Sequence, residues 1–377
     1  MDIEGIPQTA DIDHMFYPRV EDPKEADALA WVFKSKDEFV PYYFKLPELN
    51  EDEVRAKVLY TGLCHSDLMT GREKWGPANF PVCTGHEVVA RVEKVGSAVT
   101  DFKAGDVVAF GPYRKACFDC KHCNKGATNL CTKTEDHEKW LYGVYFGGYA
   151  THIQQPASHT FHVPEGMDIA NLPPVLCAGT TVYAPMKRHI KEAGAKVGVI
   201  GIGGLGHLAV QYGKAMGHHV TAFTTSADKV DYIKKLGAAE VVVVDKDLKE
   251  LEKYEGEIDY LINTLPISSK DLLEAYASTI TNGGMLIQVG LPNSEESFNI
   301  SFSTLVLKQI IIAGSIVCSV EETKDTLEFT LKHGIRVEAE NFSFEDFPKA
   351  LHRLEYEKPI FRCVVNVEDY NKKHFPN

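Results

Sequence analysis

The chain has 377 residues, of which 44% are hydrophobic and 25% charged. That is an ordinary globular composition, long enough for two domains, and it excludes wholesale disorder. The formal net charge of −13 repels a phosphate backbone and argues against nucleic acid as a partner, and no apolar run approaches the ~20 residues of a membrane helix.

The start, Met1-Asp2-Ile3-Glu4-Gly5, has neither the basic nor the apolar region of a secretory signal. With nine cysteines, an odd number, this points to reduced thiols and a cytoplasmic protein. Residues 1–28 read as an acidic surface extension. From Leu29 to about Val175 short strands and turns dominate: 53–60 alternates with period two, and 88–96 and 106–110 follow between glycines. After Cys177 the pattern changes. Lys196-Val197-Gly198-Val199-Ile200 suits a buried parallel strand, and 208–216 a helix. Further strands are expected at 219–223, 240–244, 258–263 and 284–289, with helices at 229–236 and 270–279 between them. This alternation predicts an α/β fold with a doubly wound parallel sheet over 178–315. The apolar run 305–314 reads as a strand, at an edge or central. The tail adds a helix at 323–333 and a strand at 361–367, so 316–377 is read as returning to the first domain, 29–177.

Four thiols fall in one loop: Cys117, Cys120, Cys123 and Cys131. A redox dithiol needs only two, whereas a tetrahedral zinc ion takes four thiolates, so the spacing predicts a closed structural zinc site. A second set is dispersed: Cys64 in Cys64-His65-Ser66-Asp67, His86 in Gly85-His86-Glu87, and Cys177. Singly each is better read as core. Together two thiolates and one imidazole make the ligand count of an open catalytic zinc site. Asp67 would accept the other imidazole N–H, and Ser66 would take a proton from an alcohol. Glu87 is either a further ligand or the buried partner of an arginine.

Gly201-Ile202-Gly203-Gly204-Leu205-Gly206 follows a predicted strand and opens a predicted helix, the context that makes this motif a pyrophosphate cradle. At the end of the next strand, where an NAD site places a carboxylate, stand Thr224, Thr225 and Ser226, with Lys229 beyond. Hydroxyls and a cation suit a 2′-phosphate, which predicts NADP. The bland alternative makes Asp228 a displaced acid and Lys229 a solvated helix residue.

These motifs, with Gly62-Leu63-Cys64-His65-Ser66-Asp67-Leu68 and Cys177-Ala178-Gly179-Thr180-Thr181-Val182-Tyr183, make the chain resemble a zinc-dependent medium-chain alcohol dehydrogenase of the cinnamyl alcohol dehydrogenase branch. The resemblance runs from about Leu29 to Val367. It implies a mostly β, GroES-like catalytic domain beside a Rossmann domain. It also implies catalytic zinc on Cys64, His86 and Cys177 with Glu87 as alternate, and Ser66 as proton relay. Thr181 and Leu205 would lie beside the nicotinamide and His65 near the pyrophosphate, in a homodimer joined through sheet edges. Two departures stand out. Met69 replaces a relay histidine common among relatives, and the segment between Cys131 and Gly147 is short, so aromatic substrate contacts do not carry over there. Trp75, Trp140 and Phe80 line the pocket or belong to the core. The expected reaction is NADP(H)-linked interconversion of aldehydes and primary alcohols, aromatic or allylic in type. A polyol or sugar dehydrogenase and a non-catalytic zinc-stabilised binding protein are the alternatives.

Overall fold

The computed structural model describes residue 14 and residues 16–357 and 359–376. The expected extension therefore lies outside the described residues at 1–13 and 15. Its end packs inward, with Tyr17 and Val20 buried.

The chain forms two compact units. The first runs up to Cys177 and resumes at Cys318–Leu331 and Val337–Asn377; the second comprises Ala178–Val317 and Lys332–Arg336. In the first unit, β1 (Ala28–Phe33) and β2 (Phe39–Phe44) form an antiparallel hairpin. All six β1 residues are buried, so the strand lacks the polar alternation that would mark it in sequence. Next come β3 (Glu53–Leu63), β4 (Val88–Val95), β5 (Val107–Phe110), β6 (His152–Pro156) and β7 (Thr160–His162).

The second unit holds β8 (Lys196–Ile200), β9 (His219–Thr224), β10 (Glu240–Val243), β11 (Ile258–Asn263), β12 (Ile280–Gln288) and β13 (Ile311–Gly314). They form one parallel sheet in the order β10-β9-β8-β11-β12-β13, the dinucleotide-binding order of a doubly wound fold. Ile200, Phe223, Leu261, Leu273 and Leu286 lie in its core. Burying each such side chain contributes roughly 1.5–3 kcal/mol. The run 305–314 divides: Phe302–Leu307 is helical and only β13 is extended, at the sheet edge. The cause is local, because Ser301 Oγ accepts from Thr304 N at 3.1 Å and caps a helical turn.

β14 (Ala339–Ser343) and β15 (Arg362–Asn366) complete the sheet of the first unit, whose order is β14-β15-β3-β4-β5-β7, with β6 also on β3. All its pairs are antiparallel except β14 with β15. Trp31, Phe33, Tyr42, Phe110, Tyr149 and Phe347 fill the core beside it. Among the described residues no helix is long and apolar enough to cross a membrane.

Candidate active site

β3 ends at Leu63 and the helix His65–Gly71 starts at once, with Cys64 between them in extended conformation. Asp67, at the third helical position, turns back and accepts from Cys64 N at 3.0 Å. This fixes the Cys64 backbone at the point where its thiol leaves the sheet. Cys177 sits between the turn Pro173–Leu176 and the helix Ala178–His189. His86 and Glu87 lie just before β4.

These separate segments converge. One ligand atom each from Cys64, His86, Glu87 and Cys177 lies within 4.8 Å of every other, and all four residues are buried. Asp67, fully buried, takes His86 Nδ1 at 3.0 Å, so Nδ1 donates and Nε2 keeps the lone pair for a metal. Cys177 donates to Cys64, which pushes the Cys64 thiol well below its ordinary range and Cys177 well above. Burial opposes charge on His86, yet the Asp67 carboxylate outweighs it and raises the imidazole. Burial lifts Glu87 to about 7, against the pull of Arg362. The two open readings of Glu87 both find footing: Arg362 pairs with its Oε1, while its buried Oε2 has no hydrogen-bond partner. Two thiols, an imidazole nitrogen and a carboxylate oxygen are a donor set that fits zinc.

Ser66 Oγ lies 3.6 Å from Cys64 Sγ. His65, next to it, is exposed and outside the cluster. Phe80 packs against the first unit's core, and Trp140 stacks on Tyr113 at 4.8 Å. Trp75 is half-buried.

The second cluster is local. Cys117, Cys120, Cys123 and Cys131 offer sulfurs within 4.8 Å of one another, and His122 takes no part. Cys117 N donates to Cys131 Sγ and Asp119 N to Cys117 Sγ, both at 3.4 Å. Backbone N–H groups, that of Cys123 first, hold the Cys120 thiol down to about 5. Phe118, inside the first Cys-x-x-Cys, is in the left-handed region at φ +53. A bulky residue stays there only when its surroundings hold it, and a shared ion on both flanking thiolates would do so.

In the second unit Gly201 follows β8 at φ +81, and a Cβ there would meet the Leu265 side chain. A Cβ on Gly206 would collide with Gly201 O. The turn thus closes tightly only with glycine, while Gly203 has open space above it for a phosphate to approach. Gly204 and Leu205 complete the loop before the helix Gly206–Ala215. Thr224 ends β9, and its Oγ1 accepts from Ser226 N at 3.1 Å; no carboxylate stands there. Thr225 and Asp228 are exposed, Ser226 and Lys229 half-buried, and Thr181 is buried in the helix Ala178–His189.

Sequence reasoning missed three residues here. Arg362 was foreseen only as an unnamed arginine. Tyr142 lies with its ring centroid 5.7 Å from that of His86, and burial raises its phenol well above the ordinary range. Tyr149 donates to Asp67 Oδ2 at 2.7 Å. The signal that was available is the pair Gly147-Gly148 before it: added Cβ atoms there would run into Gly85 O and Val88.

Comparison with known proteins gives the family. Residues 50–165 match the alcohol dehydrogenase GroES-like domain and 204–332 the zinc-binding dehydrogenase domain. Cinnamyl alcohol dehydrogenase 8 of Arabidopsis thaliana is 34% identical, with 89% of this chain and 94% of that protein covered. Mannitol dehydrogenase of Petroselinum crispum is 33% identical over 87% and 97%. The crystal structure of CAD from Helicobacter pylori complexed with NADP(H) superposes with a TM-score of 0.82 at 30% identity, over 90% of this chain and 98% of that one.

Proposed function

Because the chain belongs to the zinc-dependent medium-chain alcohol dehydrogenases, on the cinnamyl alcohol dehydrogenase branch, we propose that it interconverts aromatic or allylic aldehydes and their primary alcohols with NADP(H). The reading is carried by the convergence of Cys64, His86 and Cys177 in one buried cluster with Glu87. When bound, zinc supplies a Lewis acid for the substrate oxygen and the coenzyme supplies the hydride. Cys64, Cys177 and His86 Nε2 would hold the ion, and Asp67 keeps the imidazole in the tautomer this requires. Ser66 Oγ carries the proton to or from the substrate oxygen. Met69 has no transferable proton, so the relay leaves the side chains at Ser66. Tyr142, beside His86, supplies an aromatic wall suited to a conjugated substrate. The 201–206 loop takes the pyrophosphate, and Thr224, Thr225, Ser226 and Lys229 take the 2′-phosphate. Thr181 and Leu205 are assigned to the nicotinamide. The four-thiolate loop holds a structural zinc.

Two finer features belong to the same proposal. The enzyme works as a homodimer through the β13 edge, where Phe302, Leu307 and Ile311 are 86%, 79% and 52% exposed. It works in the cytoplasm, which suits nine cysteines with no disulfide among them.

The test is an aldehyde and alcohol panel with both coenzymes, followed at the nicotinamide absorbance band. Cinnamyl-type aldehydes should turn over with NADPH, and Cys64→Ser should abolish turnover while the structural zinc stays. Thr224→Asp keeps an acceptor for Ser226 N but sets a charge against the 2′-phosphate, and should cut the NADPH-over-NADH preference about tenfold or more. A second reading, polyol oxidation, draws on the relatives named mannitol dehydrogenase. Preference for a hexitol with NAD would replace the first reading with it.

A further inference from the structure

The carboxylate of Asp67 has four donors and no exposure. Oδ1 accepts from Gly85 N at 2.8 Å and His86 Nδ1 at 3.0 Å; Oδ2 accepts from Cys64 N at 3.0 Å and Tyr149 Oη at 2.7 Å. Three of the donors come from the two ligand-bearing segments themselves. The fourth is remote in sequence and is the shortest of the set.

That fourth donor is held in place independently of Asp67. Gly147 N donates to Cys83 O at 2.8 Å, Gly148 N to Gly85 O at 2.7 Å and Tyr149 N to Thr84 O at 3.0 Å. These bonds strap residues 147–149 alongside 83–85, immediately before His86. From the other side Trp31 N donates to Tyr149 O at 2.7 Å. The Tyr149 ring lies where a Gly85 side chain would be, with Phe347 at 4.5 Å. The ring therefore has no freedom to leave, and the phenol oxygen reaches Asp67 as a fixed contact.

We propose that Tyr149 is a positioning residue for the catalytic metal: its hydroxyl locks the Asp67 carboxylate, which in turn fixes the plane and tautomer of His86. The inference rests on the reading of Cys64, His86 and Cys177 as metal ligands. Without the hydroxyl, Asp67 Oδ2 keeps only Cys64 N, and the carboxylate, still held at Oδ1 by Gly85 N and His86 Nδ1, is less firmly fixed about its own bond. The imidazole then loses a single fixed orientation and with it part of its hold on the ion. Partners one step outside the ligands typically account for ~10–100-fold in metal affinity. Tyr149 acts through Asp67, which places its effect at the lower end of that range.

The variant is Tyr149→Phe, which keeps the ring, the strap and the contact with Phe347. The readout is zinc release from the fully loaded chain to a chromogenic chelator, which resolves one phase for each site, with the four-thiolate ion as internal control. Tyr149→Phe should speed the phase that parallels loss of activity by about tenfold and leave the other unchanged. The ligand-field bands of cobalt placed in the catalytic site should shift. In an Asp67→Ala background, which leaves the hydroxyl nothing to hold, Tyr149→Phe should add nothing, because the two act in series. Wild-type release and an unshifted cobalt spectrum overturn the inference, as does equal acceleration of both phases, which marks general loosening. A wild-type chain that binds only the four-thiolate ion overturns the site reading itself and this inference with it.

Discussion

Two glycines allow the cost of crowding the site to be separated from the cost of backbone strain. Gly85 has φ +98 and Gly105 has φ +95, so an alanine at either position meets nearly the same conformational penalty, about 1–3 kcal/mol. Their surroundings differ. Around Gly105, in the turn before β5, nothing lies within 4 Å of an added Cβ. At Gly85 the methyl would overlap Tyr149 Cδ1 and lie 2.8 Å from Tyr149 N. Neither neighbour yields easily: Tyr149 N is bonded to Thr84 O at 3.0 Å, and the ring is confined by Phe347. Overpacking of that kind adds roughly 1–3 kcal/mol. Gly85→Ala should therefore cost about 1–3 kcal/mol more than Gly105→Ala, and it alone should lower the zinc content toward one ion per chain. Trp31, Trp75 and Trp140 all fall in the first unit, so urea unfolding followed by tryptophan fluorescence reports on the unit that holds both glycines. Equal destabilisation by the two alanines, with full metal in both, would refute the argument that the Tyr149 contact shapes the site.

Acid should weaken the first unit through two buried histidines. Burial lowers His152 from 6.5 to about 3 and His159 from 6.5 to about 4. Both folded values lie below the unfolded one, so the unfolded chain binds more protons and stability, complete above pH 6.5, falls as pH drops toward 3–4. At pH 5 each unfolded imidazole is protonated about thirtyfold over neutral, worth about 2 kcal/mol apiece. A His152→Gln, His159→Gln double variant should thus lose about 4 kcal/mol less than wild type between pH 8 and pH 5, and parallel pH curves would contradict the assignment. Chelator treatment should expose the 117–131 loop to limited proteolysis before the sheet of the first unit opens. The small cluster there consists of Ala116 and the four cysteines, with no apolar core to hold it. Nicking elsewhere first would show that the loop is held by something other than metal.

The sequence carried these sites unequally, and distance along the chain accounts for the difference. The four-thiolate loop is legible because its ligands must crowd into one short segment to reach one ion. The glycine loop is legible because its steric need, room at Gly201 and Gly206, is met by one residue type in one local context. Cys64, His86 and Cys177 read weakly one at a time, since tertiary packing alone joins them, and they gained weight only as a set. Tyr149 was passed over because a buried tyrosine looks like core, which in its ring it is, and the Gly147-Gly148 pair before it marks a close approach without saying to what. Only the last atom of the side chain has a different task. The β1–β2 hairpin and the 302–307 turn were hidden for ordinary reasons: one strand buried on both faces, and one serine cap just ahead of an apolar run.

The two metal clusters are built on opposite principles, and this bears on how the enzyme reaches its working state. In the four-thiolate loop, backbone N–H groups lower the Cys120 thiol while burial raises that of Cys123, the backbone at Phe118 is strained, and the small cluster there is made of Ala116 and the cysteines themselves. Ion binding there supplies folding free energy. The other cluster is braced by its surroundings on several sides. Asp67 gathers donors from the Cys64 turn, the Gly85–His86 segment and Tyr149, while Arg362 on β15 balances Glu87. Burying that much charge and polarity is unfavourable unless the groups are met, and both oxygens of Asp67 are met twice over. Glu87 Oε2 and, on the arginine paired with it, Arg362 Nε have no hydrogen-bond partner among the described residues, and a carboxylate oxygen of Glu87 joins the two thiols and the imidazole in one ring of donors. A ring of two thiols, an imidazole and a carboxylate, braced by bonds from several segments, is prepared for a cation, and that bracing lets the ion keep a coordination position for the substrate.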